Sequence, residues 1–349
     1  MDNSEIIEAV KHGEPLLKPY LAERDLRGID LGGAIIEGAN LRGADLTAAV
    51  LKEAVFIKCD LVGAKLDEAA VRHATFNECD LSRASLAGAD LTLTVFTSCV
   101  LEGTVLRGAR IYQTTFLDAK AKGIDISHTK AERANFINCV LAEAKLDHST
   151  FGALQIVKAD LRTASIAGIA IDKAVLIDID FTGKSFAGLQ LIKMQLMDAA
   201  LEGCDFTAAT LDNSNFKGSN LNKAKLDKAS AKQVLFVEAK LHEASFRDAD
   251  LTQCVFNDSE PVRADFTGAK LGMSAWHRAK CIGTSLKDTD LTYADFTGAD
   301  LTAADFRGAK QVRVHLHGTK QDGTQFSSKA GTIENDPALA KAERHESRH

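Results

Sequence analysis

The stretch GANLRGADLTAAVLKEAVF, residues 38–56, carries a large apolar side chain at every fifth position. These positions are Leu41, Leu46, Leu51 and Phe56, and an alanine stands two residues before each of them. An α-helix repeats its apolar face every 3.6 residues and a β-strand every two. Because a period of five fits neither, the stretch predicts a backbone that turns a tight corner in every repeat.

The five-residue period continues through most of the chain, without a slip from Leu26 to Phe326. Most of these centre positions hold Leu, Phe or Ile, and the position two residues earlier usually holds a small side chain. Asp or Asn often stands directly before a centre. A repeat of this kind indicates a solenoid, because one short unit cannot bury its apolar residues without stacked neighbours. A bundle of helices is disfavoured, since five residues turn about 140° beyond a full helical turn.

Two stretches, GADLTAADF at 298–306 and YADFTGADL at 293–301, follow the pattern A(D/N)LXX closely. The sequence therefore resembles the pentapeptide-repeat family over roughly residues 26–326. The resemblance implies an all-β fold, a right-handed quadrilateral parallel β-helix with four pentapeptides in each coil of twenty residues. About 15 coils are expected. The centre and the small residue before it would point inward, and the other three residues outward.

Three segments are expected on this basis. Residues 1–20 would form an N-terminal helical cap, residues 21–330 the pentapeptide-repeat β-helix, and residues 331–349 a C-terminal helix or flexible tail. Caps are expected because the first and last coils of a solenoid are unpaired sheet edges.

The expected terminal helices have recognisable start signals. Ser4 is predicted to cap the helix EIIEAVKH, which Gly13 and Pro15 would end. Ile6 and Val10 would then cover the first coil. At the other end, NDPALAKAERHESRH begins with an Asp-Pro pair that predicts the first turn of an Ala-rich helix.

Charge and composition exclude several function classes. The net charge is −6, from 42 basic and 48 acidic residues, so a nucleic-acid partner is not expected. No apolar run is long enough for an export signal or a membrane span, which favours a cytoplasmic location. The seven cysteines are accordingly expected to be reduced thiols.

The twenty-residue coil assigns each residue to one of four faces. We call the face with centres Phe56, Phe76, Phe96, Phe116 and Phe136, continued at twenty-residue intervals to both ends, the phenylalanine face. Outward positions beside its centres are rich in Val, Ile, Leu and Met, which are scarce on the other faces. Since exposed apolar surface usually marks a contact site, we expect a protein partner or self-association there. Strand propensity alone is the alternative explanation. The expected protein-binding residues are Ile35, Val55, Ile57, Val95, Leu117, Ile137, Val157, Val175, Ile177, Met197, Leu235, Val237 and Val255.

Candidate chemical sites are few. Cys59, Cys79, Cys99 and Cys139 share one inward column, where a small buried residue is the simplest interpretation and some neighbours would approach disulfide distance. His315 and His317 flank a centre and are expected to point outward together, without a third metal ligand. No nucleophile elbow, phosphate loop or zinc-protease pattern is present. No enzyme activity, metal, cofactor or small-molecule substrate is therefore expected.

The middle of the chain departs from the repeat pattern. At the small inward position, residues 154–194 carry larger side chains, and Lys184 cannot easily stay buried without a partner. We expect the coil to widen, bend or twist in this segment. Pro261 occupies a centre without an N–H group and predicts a second local irregularity. The larger inward side chains are Leu154, Ile169, Ile179, Lys184, Leu189 and Met194.

The sequence favours a non-catalytic scaffold or adaptor that presents the phenylalanine face to another protein. The family resemblance adds two specific versions. Long free-standing family members often accompany bacterial type VI secretion, so an effector-loading adaptor is one expectation. DNA-mimicking members that protect type II topoisomerases such as gyrase are the alternative, although the nearly balanced charge of this chain departs from their acidic character. A passive structural spacer remains a third interpretation.

Overall fold

The computed structural model describes residues 2–334, in two compact units that meet in sequence between Asp180 and Phe181. The first unit holds helix α1 (Asn3–Lys11) and thirteen strands. These are β1 (Leu16–Leu17), β2 (Ile35–Glu37), β3 (Val55–Ile57), β4 (Thr75–Asn77), β5 (Val95–Thr97), β6 (Ile111–Tyr112), β7 (Thr115–Leu117), β8 (Lys130–Glu132), β9 (Asn135–Ile137), β10 (Thr150–Gly152), β11 (Gln155–Asp160), β12 (Ala170–Asp172) and β13 (Val175–Asp180). The second unit holds β14 (Gln190–Ile192), β15 (Asp305–Phe306), β16 (Val314–His315), β17 (Gln325–Phe326) and β18 (Thr332–Ile333).

The strands pair in parallel, with a constant shift of twenty residues through the repeats. Phe56 lies beside Phe76, and Phe76 beside Phe96. In the first unit this produces a nine-stranded sheet in the order β1-β2-β3-β4-β5-β7-β9-β11-β13. Elsewhere single bridges, such as Asn215 to Leu235, keep the same shift. Each unit is therefore an all-parallel β-solenoid, with about 16 turns in the described residues together, which confirms the expected fold class.

Each pentapeptide closes with a tight turn. The N–H of Ala44 donates to the carbonyl of Leu41 at 3.0 Å, and the same three-residue step recurs in most repeats. The residue two positions after the centre has positive φ, for example Gly43 at 61° and Ala48 at 57°. This conformation explains why glycine is frequent at that position, since it adopts positive φ without a Cβ clash.

The core consists of the centres and the small residues before them. Phe96 and Ala74 are fully buried, as are nearly all centres of both units. On the phenylalanine face, the ring centroids of Phe76, Phe96 and Phe116 lie 5.0 and 5.1 Å apart in near-parallel stacks. Stacked rings at this spacing add attraction to the area that they bury.

The second unit contains a further aromatic column. Phe246 and Phe266 stack at 4.5 Å on the face opposite the phenylalanine face. Phe266 also meets Trp276 edge-on, with ring centroids 5.2 Å apart, so the two columns interlock across the core. The Trp276 indole N–H donates to the Ser274 hydroxyl at 2.8 Å, which satisfies its one buried polar group.

Helix α1 begins two residues earlier than predicted, so the assignment of Ser4 as its N-cap is wrong. Asp2 is the cap: its carboxylate accepts from the Glu5 N–H at 2.9 Å, while the Glu5 carboxylate accepts from the Asp2 N–H at 2.6 Å. Ser4 has isoleucine three residues later and cannot form this reciprocal capping box. Ile6 is fully buried, as expected of a residue that covers the first coil, and Val10 is half-buried.

The large inward residues of the middle segment fit into the core with two exceptions. Leu154, Ile169, Ile179 and Met194 are at most 4% exposed, whereas Lys184 and Leu189 are half-buried.

The predicted C-terminal helix lies outside the described residues. The three predicted segment boundaries stay predictions. Within residues 2–334, no helix is long and apolar enough to span a membrane.

Candidate protein-interaction surface

The most continuous apolar surface on the phenylalanine face belongs to the first unit. Leu117 pairs with Ile137, Ile137 with Val157, and Val157 with Ile177, so four successive coils place an outward apolar side chain in register. We call these four residues the apolar row. At about 4.8 Å per coil, the row extends about 14 Å. Ile177 is 39% exposed and the other three are half-buried, because each side chain covers part of its neighbour.

Polar side chains border the apolar row. On one side stand Thr115, Asn135 and Gln155, which carry no charge, followed by Val175. The Asn135 side-chain amide donates to the Thr115 hydroxyl at 3.3 Å. An apolar ridge within a polar rim is the usual anatomy of a protein-binding patch.

The other predicted residues of the first unit form shorter groups. Ile35 pairs with Val55, but Val55 then pairs with Thr75, and Ile57 lies between Glu37 and Asn77. Val95 has threonines on both neighbouring coils. Outward apolar side chains therefore extend over no more than two successive coils in this part of the face. Ile35 is nevertheless 47% exposed.

The second unit brings together only two of its four predicted residues. Leu235, which is 39% exposed, bridges to Val255. Met197 and Val237 are half-buried and stand twenty residues to either side of Lys217, whose ammonium group lies 3.4 Å from Glu238. A charged residue in this column separates the apolar side chains, so the second unit carries no row comparable to the apolar row among its described residues.

Charged residues on other faces of the second unit alternate in sign along columns. Asp250, Lys270, Asp290 and Lys310 occupy successive coils, and Lys310 Nζ lies 3.0 Å from the Asp290 carboxylate. A second column alternates in the same way, and Lys280 Nζ lies 2.7 Å from the Glu260 carboxylate there. Its residues are Lys240, Glu260, Lys280, Asp300 and Lys320. These columns neutralise themselves and offer no acidic groove in this part of the unit.

The aspartates before the centres are engaged in the turns. The Asp205 carboxylate accepts from the Thr207 N–H at 2.9 Å, and bonding to Thr207 is the main reason that the pKa of Asp205 lies below its usual value. Asp295 accepts from both the N–H and the hydroxyl of Thr297, at 2.9 and 2.6 Å. Carboxylates that stabilise turns in this way have a structural role, in agreement with their place in the repeat pattern.

The cysteine column has a packing role. All seven cysteines are buried and free. The thiol of Cys99 donates to the carbonyl of Phe76 at 3.4 Å, and the hydroxyl of Thr104, at the equivalent inward position, donates to Leu81 at 2.8 Å. Burial raises the pKa of the Cys139, Cys254 and Cys281 thiols. Because the thiolate is the reactive form, these three groups are poorly suited to nucleophilic chemistry.

The prediction that His315 and His317 both point outward is wrong for His317. His315 is half-buried in strand β16, but His317 is only 6% exposed. Position 317 directly follows a centre, where the five-residue pattern predicts exposure, so its burial departs from the pattern. Among residues 2–334, no three His, Cys, Asp or Glu side chains are grouped so that they could hold a metal ion.

A cluster of cations beside the apolar row was missed from the sequence. Arg110, Lys130 and Arg133 lie on two successive coils, on the face that precedes the phenylalanine face. A shallow cleft of about 300 Å³ is lined by Arg110, Tyr112, Lys130 and Glu132. Alignment of the charged residues at twenty-residue intervals would have revealed the cluster.

The twenty-residue register, the tight turn in each repeat and the buried centres define a solenoid repeat protein. The Pentapeptide repeats family model matches the chain in eight copies, at ranges that include 25–61, 59–97, 74–111, 195–230, 219–258, 235–272 and 277–310. These ranges cover more than half of the sequence. The chain belongs to the pentapeptide-repeat family, whose members are generally structural or interaction proteins.

Solved structures that resemble the chain include other pentapeptide-repeat proteins. A trypsin-treated variant of QnrB1, a plasmid-mediated fluoroquinolone resistance protein, is 20% identical over 46% of this chain and 83% of its own, with a TM-score of 0.27. HetL, involved in heterocyst differentiation regulation in Nostoc sp. strain PCC 7120, is 22% identical over 96% of this chain and all of its own, with a TM-score of 0.21. Rfr23 from Cyanothece 51142 is 17% identical over 45% and 91% of the two chains, with a TM-score of 0.15. No curated protein sequence matches the chain.

Proposed function

We propose that this protein is a non-catalytic interaction scaffold and that the apolar row of its first unit binds a protein partner. The observation that supports the proposal most strongly is the register of the row. Four coils in succession place an apolar side chain outward at the same column, from Leu117 to Ile177. Exposed, contiguous apolar surface is costly in water and is removed when a partner covers it.

The other predicted protein-binding residues extend this proposal to a lesser degree. Ile35 with Val55 and Leu235 with Val255 form pairs that are large enough to add contacts but too short to form a patch alone. We expect the isolated residues, such as Val95 and Met197, to contribute little.

Variants with a glutamate in the apolar row test the proposal. Ile137→Glu and Val157→Glu place a charge where the partner would exclude water, so partner binding should fall at least tenfold. Ala142→Glu is the matched control, since Ala142 occupies the equivalent outward position on the next face. Proteins captured from the native cell by each tagged variant would be compared by quantitative mass spectrometry, with circular dichroism to verify folding.

The scaffold proposal requires one outcome. Partners captured by the unaltered chain should be lost with Ile137→Glu and Val157→Glu and retained with Ala142→Glu. Equal recovery from all three folded variants would show that the row is ordinary strand composition and that binding takes place elsewhere.

Two specific versions of the scaffold function lead to different assays. An adaptor for type VI secretion rests on the family resemblance, and components of that machinery should be among the captured proteins. Gyrase protection requires an acidic surface, to which the self-neutralising columns of residues 240–320 are poorly suited. A supercoiling assay with purified gyrase and drug, with and without the protein, would test the second version.

A further inference from the structure

The cations next to the apolar row lack the partners that similar residues have elsewhere. In the part of the chain that the structure describes, Arg110, Lys130 and Arg133 make no ion pair. Most arginines do so: Arg162 lies 2.7 Å from Asp160, and Arg278 lies 2.7 Å from Asp258. All three clustered cations are exposed.

Two carboxylates lie near the cluster: Asp90 is turned to other groups, and Glu132 offsets one of the three positive charges. Asp90 bridges to Arg110 along the backbone, but its side chain accepts from the Thr92 hydroxyl at 2.5 Å and lies 3.6 Å from Arg72. The Glu132 carboxylate occupies the space over Gly152 that a Cβ would fill. The cluster therefore keeps a local positive charge, and a carboxylate from another molecule would be attracted to it.

Arg133 is the member of the cluster nearest the apolar row, and it lies close enough for one ligand to contact both. Arg133 ends the preceding face, and strand β9 with Ile137 begins two residues later. Four residue steps separate Arg133 from Ile137, about 13 Å at full extension. An α-helix with its side chains is about 10–12 Å wide. The residues between them are Asn135 and its column neighbours Thr115 and Gln155. They carry no charge, so they would repel neither an acidic nor a basic side chain of the ligand.

We propose that the occupant of the apolar row is an amphipathic helix of a partner protein with acidic residues along one flank. This inference rests on the proposed function and specifies the chemistry of the partner. Helix side chains at i, i+3 or i+4 and i+7 recur at about 5–6 Å, close to the coil spacing of about 4.8 Å. Three to four apolar residues of such a helix, laid along the solenoid axis, contact Leu117, Ile137, Val157 and Ile177 in turn. Its acidic flank faces Arg133, with Arg110 and Lys130 beyond.

A display library of 18-residue helices would test the charge preference. Leucines are fixed at four positions of one stripe, the flanking positions are randomised, and selection is carried out on the immobilised full-length chain. Selected sequences should be enriched in Glu and Asp on one flank. Synthetic versions of them should bind at least tenfold more weakly to the triple variant R110E/K130E/R133E. The control triple K18E/K65E/R83E changes the same number of exposed cations in earlier coils of the first unit, and it should bind as the unaltered chain does.

Each other outcome has a defined meaning. Selected helices that need Val157 but show no acidic bias would overturn this inference and leave the proposed function intact. Helices that bind equally to V157E would overturn both. Concentration-dependent dimerisation in analytical ultracentrifugation that V157E abolishes would identify a second copy of this chain as the occupant, which also overturns the inference.

Discussion

Truncation of one stacked phenylalanine tests the packing of the first unit. Phe96 is fully buried, and its ring stacks between Phe76 at 5.0 Å and Phe116 at 5.1 Å. Phe96→Ala removes a buried aromatic side chain, which costs about 3–5 kcal/mol including the cavity. Two stacked contacts, each worth about 0.5–1.5 kcal/mol beyond the buried area, place the expected loss in the upper part of that range. Phe96→Leu keeps most of the apolar volume without the stacking and should cost roughly 1–2 kcal/mol.

Urea denaturation followed by far-ultraviolet circular dichroism measures these losses, and hydrogen exchange locates them. Amides of the coils that hold Phe76 and Phe116 should lose protection in Phe96→Ala. Ser98→Ala is the control, since Ser98 is an exposed turn residue of the same coil and should change stability by less than about 0.5 kcal/mol. Equal effects of Phe96→Ala and Ser98→Ala would refute the assignment of inward and outward positions.

Three further expectations concern the helix, the aspartates and the thiols. Asp2→Ala should destabilise α1, because it removes the capping box, while Ser4→Ala should have little effect; exchange rates of the helix amides distinguish the two. Bonding to Thr207 lowers the pKa of Asp205, so its contribution to stability is present above the unfolded value near 4 and is lost as pH falls through the lower folded value. Thr207→Val should reduce this acid dependence in denaturation curves, and an unchanged curve would contradict the assigned cause. Burial raises the pKa of Cys139, Cys254 and Cys281, so stability should decline above about pH 8.5, where only the unfolded thiols ionise. These thiols should react with Ellman's reagent only after unfolding, and rapid reaction of the native protein would contradict their burial.

The five-residue period was sufficient to predict the solenoid, because the pattern reports directly which side chains are inside. Phe56 and Phe76 could be placed side by side from their separation alone, since a coil of constant length fixes the register. The prediction of Ser4 as the N-cap was wrong, although serine is a common cap and Ser4 directly precedes the apolar pattern, because Asp2 and Glu5 have the capping-box spacing that Ser4 lacks. The burial of His317 was not predictable, because it depends on local packing near the last described coil.

The register of the candidate surface followed from the twenty-residue coil, whereas its role in protein binding stays a prediction. Outward apolar residues are more frequent on the phenylalanine face than on the others, but this excess does not separate contiguous from isolated residues among the thirteen. An apolar side chain adds to a continuous surface only where the neighbouring coils carry apolar side chains at the same position. The row from Leu117 to Ile177 meets this condition, and isolated residues such as Val237 do not. The charge cluster at Arg110 and Lys130 was missed because a net charge of −6 hides local imbalance. Ion pairing is decided by side-chain direction, which the sequence does not contain.

Site-specific photo-crosslinking measures most directly whether the apolar row is a partner-binding surface. A photoreactive amino acid would replace Ile137 in the native cell, and in a parallel strain it would replace Ala142 on the neighbouring face. The scaffold account predicts a discrete crosslinked product from position 137 that Val157→Glu abolishes, and no such product from position 142. Products of equal yield from both positions, or a product from position 142 alone, would contradict it.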